Sequence, residues 1–169
     1  MSDDAPQMSA LFGGDPDSGF FDLPKGTPGE GSPDIVVFGA PTATPYASVG
    51  SYCAGAPAAI RGAFGWPGLL DHHDFDVDGT VLPDGVTAVD WGDVAASDTD
   101  FAANRAAITH RTRQALELGA VPMVFGGDDS IPIPVMAAYE GRGPINVLQL
   151  DAHIDWRDEV QGETHGLSS

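Results

Sequence analysis

Four apolar runs stand out along the chain, and each predicts a buried β-strand. They are residues 34–39 (DIVVFG), 86–90 (VTAVD), 121–125 (VPMVF) and 145–150 (INVLQL). Three of the four end in a Gly or Asp that opens a polar loop. The segments between them read as helices. Residues 56–64 form a short helix with Pro57 in its first turn, where the missing N–H costs little. Residues 101–118 form the clearest long helix. Phe101, Ile108, Ala115 and Leu116 fall roughly on one face, Asp100 caps the start and Gly119 ends it. Residues 131–140 form another, with Pro132 and Pro134 in the first turn. Strands alternating with helices predict an α/β fold around a parallel sheet covered on both faces. In such sheets ligands bind outside the carboxyl ends of the strands. The loops after the third and fourth strands are therefore where chemistry is expected.

The first 33 residues are rich in Gly, Pro, Asp and Ser, which predicts a flexible N-terminal arm (1–33) ahead of the α/β region (34–169). Phe12, Phe20 and Phe21 are its candidate anchors on a partner surface. At 169 residues the chain is enough for one domain. No apolar stretch approaches the ~20 residues of a membrane span, and the first residues lack a signal peptide's basic flank and apolar run, so the expected location is cytoplasmic. The formal net charge is −18, from 25 acidic and 7 basic residues, with Lys25 the sole lysine. That charge argues against nucleic acid, whose phosphates it would repel, and against anionic membranes. It favours a small cationic substrate. Adaptation to high salt and a codon bias toward Asp and Arg account for it equally well. Cys53 is the only cysteine, which excludes an intrachain disulfide and a thiolate zinc cluster.

The residues suited to chemistry cluster late in the chain. After the fourth apolar run come Asp151, His153 and Asp155 (DAHID). In extended geometry residues two apart point to the same side, so three potential ligands are expected to converge. Two carboxylates and an imidazole suit Mn²⁺, Zn²⁺, Ni²⁺ or Fe²⁺. After the third run come Gly126, Gly127, Asp128, Asp129 and Ser130 (GGDDS). The glycines allow a tight turn and a close backbone approach. The adjacent carboxylates need a cation or hydrogen bonds to coexist. His165, in a Thr-His-Gly loop ten residues past Asp155, is a candidate proton shuttle. His72 and His73 lie between Asp71 and Asp74 and read as a solvated turn.

GGDDS followed by LDAHID resembles the ureohydrolase family of arginase, agmatinase, guanidinobutyrase and formiminoglutamase. Phe38 to Pro41 is similar to the family's first strand, and residues 55–61 (GAPAAIR) to its G-x-P-x-x-I-R helix. Asp90 to Val94 (DWGDV) is similar to its D-x-G-D segment. The likeness is nearest to the agmatinase branch and runs from about Asp34 to the last residue. It implies a three-layer α/β/α fold and a dinuclear manganese centre of two Mn²⁺, with Ni²⁺ or another divalent metal as alternatives. Asp151 would bridge the metals, and His153 and Asp155 would each bind one. Hydroxide generated between them would attack a guanidinium carbon and release urea and an amine. His165 would match the family's loop histidine. A small cationic guanidino substrate such as agmatine is implied, and for the full-length protein a trimer or hexamer.

Two departures bear on this. The family has GGDHS, with a metal-binding histidine where Asp129 stands. Asp129 can still ligate Mn²⁺, and its oxygen shifts preference away from Zn²⁺. That exchange leaves altered metal choice, altered substrate and lost activity as open alternatives. Family members are also about twice as long, so the sequence reads as the N-terminal half, with about half the sheet and at most four of the six metal ligands. A truncated, non-catalytic relative is therefore an alternative reading. A phosphoesterase is another, although there D-x-H precedes G-D and here the order is reversed.

Overall fold

The computed structural model describes residues 19–65 and 68–168. Phe12 lies outside them. In chain order the elements are β1 (Ile35–Ala40), α1 (Ala56–Phe64), β2 (His73–Asp74), β3 (Gly79–Thr80), β4 (Ala88–Asp93), α2 (Phe101–Glu117), β5 (Val121–Gly126) and α3 (Pro132–Ala137), with 3₁₀ turns at Phe20–Asp22 and Leu69–Asp71.

β1 is the central strand of a three-stranded sheet ordered β4-β1-β5. Both pairings are parallel, with Ile35 beside Ala88 and Val121, and Ala40 beside Gly126. Central position explains the unbroken apolar run of β1, because a strand covered on both faces has no side free for polar residues. Val36, Phe38 and Ala40 face one layer with Trp91, Ile108, Ala115 and Ile131, the layer of α2 and α3. Val37 faces the other with Leu23 and Ala88, joined by the partly buried Phe20, Ile35 and Phe125. Burial of a side chain such as Phe38 contributes about 1.5–3 kcal/mol, so β1 is where the fold's apolar energy is concentrated. The chain is thus an α/β protein with a parallel sheet covered by helices, as the strand and helix pattern predicts.

The helices follow their local signals. α1 spans the predicted residues, with Pro57 at its start. The Asp100 carboxylate accepts the Ala103 N–H at 2.9 Å, and Gly119 ends α2 at φ 80°. The buried stripe of α2 is more polar than its apolar spacing predicts. It carries Asn104 and Thr112 beside Ile108 and Ala115. Each polar member is satisfied: Asn104 bonds both Ser97 N–H and Ser97 C=O at 2.8 Å, and Thr112 donates to Ile108 C=O at 2.9 Å.

Residues 19–33 run along the sheet. Phe20 and Phe21 pack on the protein's own Phe64 and Phe125, with Phe20–Phe125 ring centroids 4.6 Å apart and Phe21 stacked on Phe64 at 5.1 Å. Lys25 bridges in parallel to Asp90. These aromatics therefore anchor on the chain itself.

The fourth predicted strand is not formed. Residues 145–150 are irregular and exposed, with Leu148 86% and Leu150 93% accessible. An apolar run states that a segment seeks burial, but a strand exists only with a hydrogen-bonded neighbour. Among the described residues this run has none. Among the described residues β5 likewise has no partner on its outer side, where Val121 is 63% exposed.

Candidate functional site

Three loops meet at the carboxyl ends of β1, β4 and β5. The close approach of the first and third depends on Gly127. A Cβ there would sit 2.1 Å from the Pro41 carbonyl oxygen, a distance no side chain tolerates. The two loops are then stitched by hydroxyls. Thr42 Oγ1 donates to Asp128 Oδ2 at 2.6 Å, and the Thr44 N–H donates to Ser130 Oγ at 2.7 Å. Asp128 also accepts the Ser130 N–H at 3.1 Å and the Ser130 hydroxyl. Arg105, from α2, donates to Thr44 Oγ1 at 2.7 Å.

The two adjacent carboxylates of GGDDS therefore have separate fates. Asp128 is buried, 4% exposed, and compensated by hydrogen bonds. Asp129 is exposed and lines the cleft described below.

The second loop is anchored by an ion pair. Arg61 of α1 meets Asp90 through Nε at 2.7 Å and Nη2 at 3.0 Å, and also bonds Asp93. The backbone N–H groups of Phe20 and Gly92 donate to Asp90 as well. Burial works to raise the Asp90 pKa, but the Arg61 hydrogen bonds and those N–H donors outweigh it and hold the carboxyl below the ordinary range.

The last segment folds back onto the loop after β1. Tyr46 Oη lies 2.7 Å from Ser168 Oγ and accepts the Ser168 N–H at 3.3 Å. Gly166 abuts the Tyr46 ring, where a Cβ would lie 2.3 Å from Cε1. The Arg157 N–H donates to Ser168 C=O at 3.0 Å. These contacts border an open cleft of about 470 Å³, whose lining includes Asp129, His153, Asp155, Tyr46, Arg157 and Ser168.

Three of the four predicted metal ligands thus reach one cleft, and Asp151 does not line it. The expected convergence of Asp151, His153 and Asp155 through strand alternation does not occur, because the run is not a strand. Asp151 folds into its own turn, accepting the His153 N–H at 2.7 Å and Gln149 Nε2 at 3.2 Å, and these bonds lower its pKa in that order. Asp155 sits at φ 38°, off the extended path. Among the described residues, no three His, Cys, Asp or Glu side chains are gathered as around one metal ion. His165 does not line the cleft; its Nδ1 is 3.0 Å from Thr164 Oγ1 and its backbone N–H donates to Glu163 at 2.8 Å. His73 belongs to the exposed hairpin of β2 and β3, His72 immediately precedes it, and neither lines the cleft; His73 Nε2 is 3.4 Å from Asp78.

Sequence reasoning did not single out Tyr46 or Arg157. The only signal for them is position: Arg157 follows Asp155 by two residues, and Tyr46 ends the proline-bounded loop after β1.

A parallel sheet with acidic and imidazole side chains lining a cleft beyond its carboxyl edge is an α/β architecture that the comparisons specify as arginase-like. The Arginase family model matches residues 33–168, so the chain belongs to the Arginase family. It is 37% identical over 105 residues to a formimidoylglutamase of Halobacterium salinarum, covering 60% of this chain and 31% of that protein. It is 32% identical over 81 residues to the mitochondrial agmatinase of Gallus gallus, covering 47% of this chain and 24% of that protein. The solved proclavaminate amidino hydrolase of Streptomyces clavuligerus superposes with a TM-score of 0.71 at 27% identity, covering 90% of this chain and 49% of that one. The chain therefore spans from about a quarter to a half of the length of these relatives.

Proposed function

We propose that the protein is a metal-dependent amidinohydrolase that cleaves a C–N bond of a linear guanidino compound, giving an amine and urea. The observation that carries this reading is the meeting of Asp129, His153 and Asp155 at one cleft beyond the carboxyl ends of the sheet, in a chain of the Arginase family. In the reaction water supplies the oxygen of urea and the departing nitrogen leaves as an ammonium, so atoms and charge balance. The cofactor proposed is a pair of Mn²⁺ ions, bound by Asp129, Asp151, His153 and Asp155. This oxygen-rich donor set with one imidazole fits Mn²⁺. When bound, such a pair lowers the pKa of a water to near neutrality. Loading requires Asp151 to leave its turn and the 151–155 run to close on Asp129. His165 would exchange protons with solvent in this scheme.

At the level of the substrate, the relatives' names include both agmatinase and formimidoylglutamase. The net charge of −18 favours an agmatine-like cation approaching from a distance. A cytoplasmic setting is part of the same proposal; among the described residues, no helix is long and apolar enough to cross a membrane. A second reading, a non-catalytic relative, is favoured by one observation, the ungathered donors.

The test is product release from purified protein with Mn²⁺ and a panel of guanidino compounds of varied tail. Mn²⁺-dependent urea or amine that disappears with chelator is expected. No product from any member would overturn the reading and leave the non-catalytic one.

A further inference from the structure

One edge of the sheet is closed by the chain's own arm, and the other is open. Along β4 the Gly26 N–H donates to Asp90 C=O at 2.9 Å, and the Asp90 N–H to Pro24 C=O at 3.0 Å. Along β5 no described residue does this. The Val121 N–H points inward, to Asp34 C=O at 2.8 Å, as does the Gly127 N–H, to Ala40 C=O at 3.3 Å. Successive residues of a strand turn their N–H groups to opposite sides, so those of Val124 and Gly126 face the open edge. β5 carries no charged residue to repel a neighbour.

The topology points to residues 145–150 as the occupant of that edge. α1 carries the chain from β1 to β4 on the Val37 layer, where Phe64 meets Phe20. α2 carries it the opposite way, from β4 to β5, on the Val36 layer. Opposite directions on opposite faces give the two crossovers one hand. α3 lies on the Val36 layer too, through Ile131 and a bond from Thr109 Oγ1 to Pro134 C=O at 2.8 Å. A strand following α3 on the outer side of β5 therefore keeps that hand, as parallel crossovers do. Residues 138–144 can span up to ~25 Å, more than the ~20 Å of a six-residue strand. With the runs 121–126 and 145–150 aligned end to end, Asp151 comes level with Gly127, at the base of the loop that carries Asp129.

We infer that residues 145–150 form a metal-coupled strand: they dock on the open edge of β5 when Asp129, Asp151, His153 and Asp155 gather on a divalent cation, and they leave it when the cation is removed. This coupling rests on the metal site proposed above and adds a conformational control to it. Two forces oppose each other in the segment. Docking buries Leu148 and Leu150, which are exposed off the sheet, and satisfies the outward N–H groups of Val124 and Gly126. It also draws Asp151 out of the turn in which it accepts the His153 N–H and Gln149 Nε2, and brings three carboxylates together. Like charges that close repel unless a cation compensates them. Cation binding and strand docking therefore each lower the cost of the other.

Hydrogen exchange on the 169-residue chain, followed by mass spectrometry with and without Mn²⁺, reads the coupling. Electron paramagnetic resonance on the same samples reports the Mn²⁺ bound. Saturating Mn²⁺ is expected to slow exchange in peptides covering 121–127 and 145–150 tenfold or more and to lower hydrophobic-dye binding, and chelator to reverse both. Leu148→Ser with Leu150→Ser changes exposed side chains, so the rest of the fold is expected to hold. Neither residue is a donor, yet this double variant is expected to bind Mn²⁺ at least tenfold more weakly. Bound Mn²⁺ with unchanged exchange at 145–150, or equal Mn²⁺ affinity in the double variant, would overturn the coupling and leave the metal site intact. Protection that rises with protein concentration would assign the edge to a second copy of the chain and overturn it as well. Absence of saturable Mn²⁺ binding would remove the metal site itself, and the coupling with it.

Discussion

Arg61 and Asp90 form a two-toothed ion pair that joins α1 to β4, with Nε to Oδ2 at 2.7 Å and Nη2 to Oδ1 at 3.0 Å. The side chains are 12% and 3% exposed. Removing the guanidinium leaves a buried carboxylate without its counter-charge, the costly way to break such a pair. Arg61→Ala is expected to lower unfolding free energy by about 3 kcal/mol. Arg61→Lys keeps the charge and loses the fork, and should fall between. Urea denaturation of the three proteins checks the order; equal stability of Arg61→Ala and the parent would remove the pair from its structural role.

The same pair sets a pH dependence. The Asp90 carboxyl is held below its ordinary range: burial alone would raise its pKa, and Arg61 with the Phe20 and Gly92 N–H groups reverses that. A folded pKa below the unfolded ~3.9 gives a contribution that is complete above that value and is lost as pH falls through the folded one. The stability gap between the parent and Asp90→Asn should therefore be constant from pH 7 to pH 5 and shrink below pH ~4. A gap that shrank at neutral pH would point to another group.

Gly127 and Gly62 make opposite predictions from the same substitution. Gly127→Ala drives a methyl into the Pro41 carbonyl and should destabilise by about 1–3 kcal/mol, with the GGDDS loop displaced from the loop after β1. Gly62 lies inside α1 with open space around its missing Cβ. Gly62→Ala should stabilise by about 0.5–1 kcal/mol. Thermal melts of the two variants give the signs.

Legibility in the sequence followed locality. β1, β4 and β5, the limits of α1 and the Asp100 cap were readable because apolar runs, a proline and a capping carboxylate act within a few residues. The different roles of Asp128 and Asp129 were not, since Asp128 is fixed by Thr42, 86 positions earlier. The strand expected at residues 145–150 was misread for the same reason: its apolar side chains are local, and its hydrogen-bond partner is not. Asp151, His153 and Asp155 were legible as donors by type, while their arrangement depended on that missing strand. Only Asp129, His153 and Asp155 reach the cleft.

The exposed face of residues 145–156 has a measurable consequence. Leu148, Leu150, Ile154 and Trp156 are each at least 75% accessible, an apolar patch of the kind that promotes association. The 169-residue chain is expected to bind a hydrophobic dye and to sediment above monomer mass. Leu148→Glu with Leu150→Glu should reduce both. Unchanged sedimentation in that double variant would place the contact elsewhere, at the open edge of β5.

The central claim is that Asp129 and His153, brought to one cleft from loops 24 positions apart in sequence, belong to a single metal site. Its most direct measure is Mn²⁺ bound per chain, followed by electron paramagnetic resonance during titration of the parent, Asp129→Ala and His153→Ala. Saturable binding in the parent, weakened tenfold or more by either substitution, is the predicted result. Absence of saturable binding, or identical titrations in all three proteins, would contradict it.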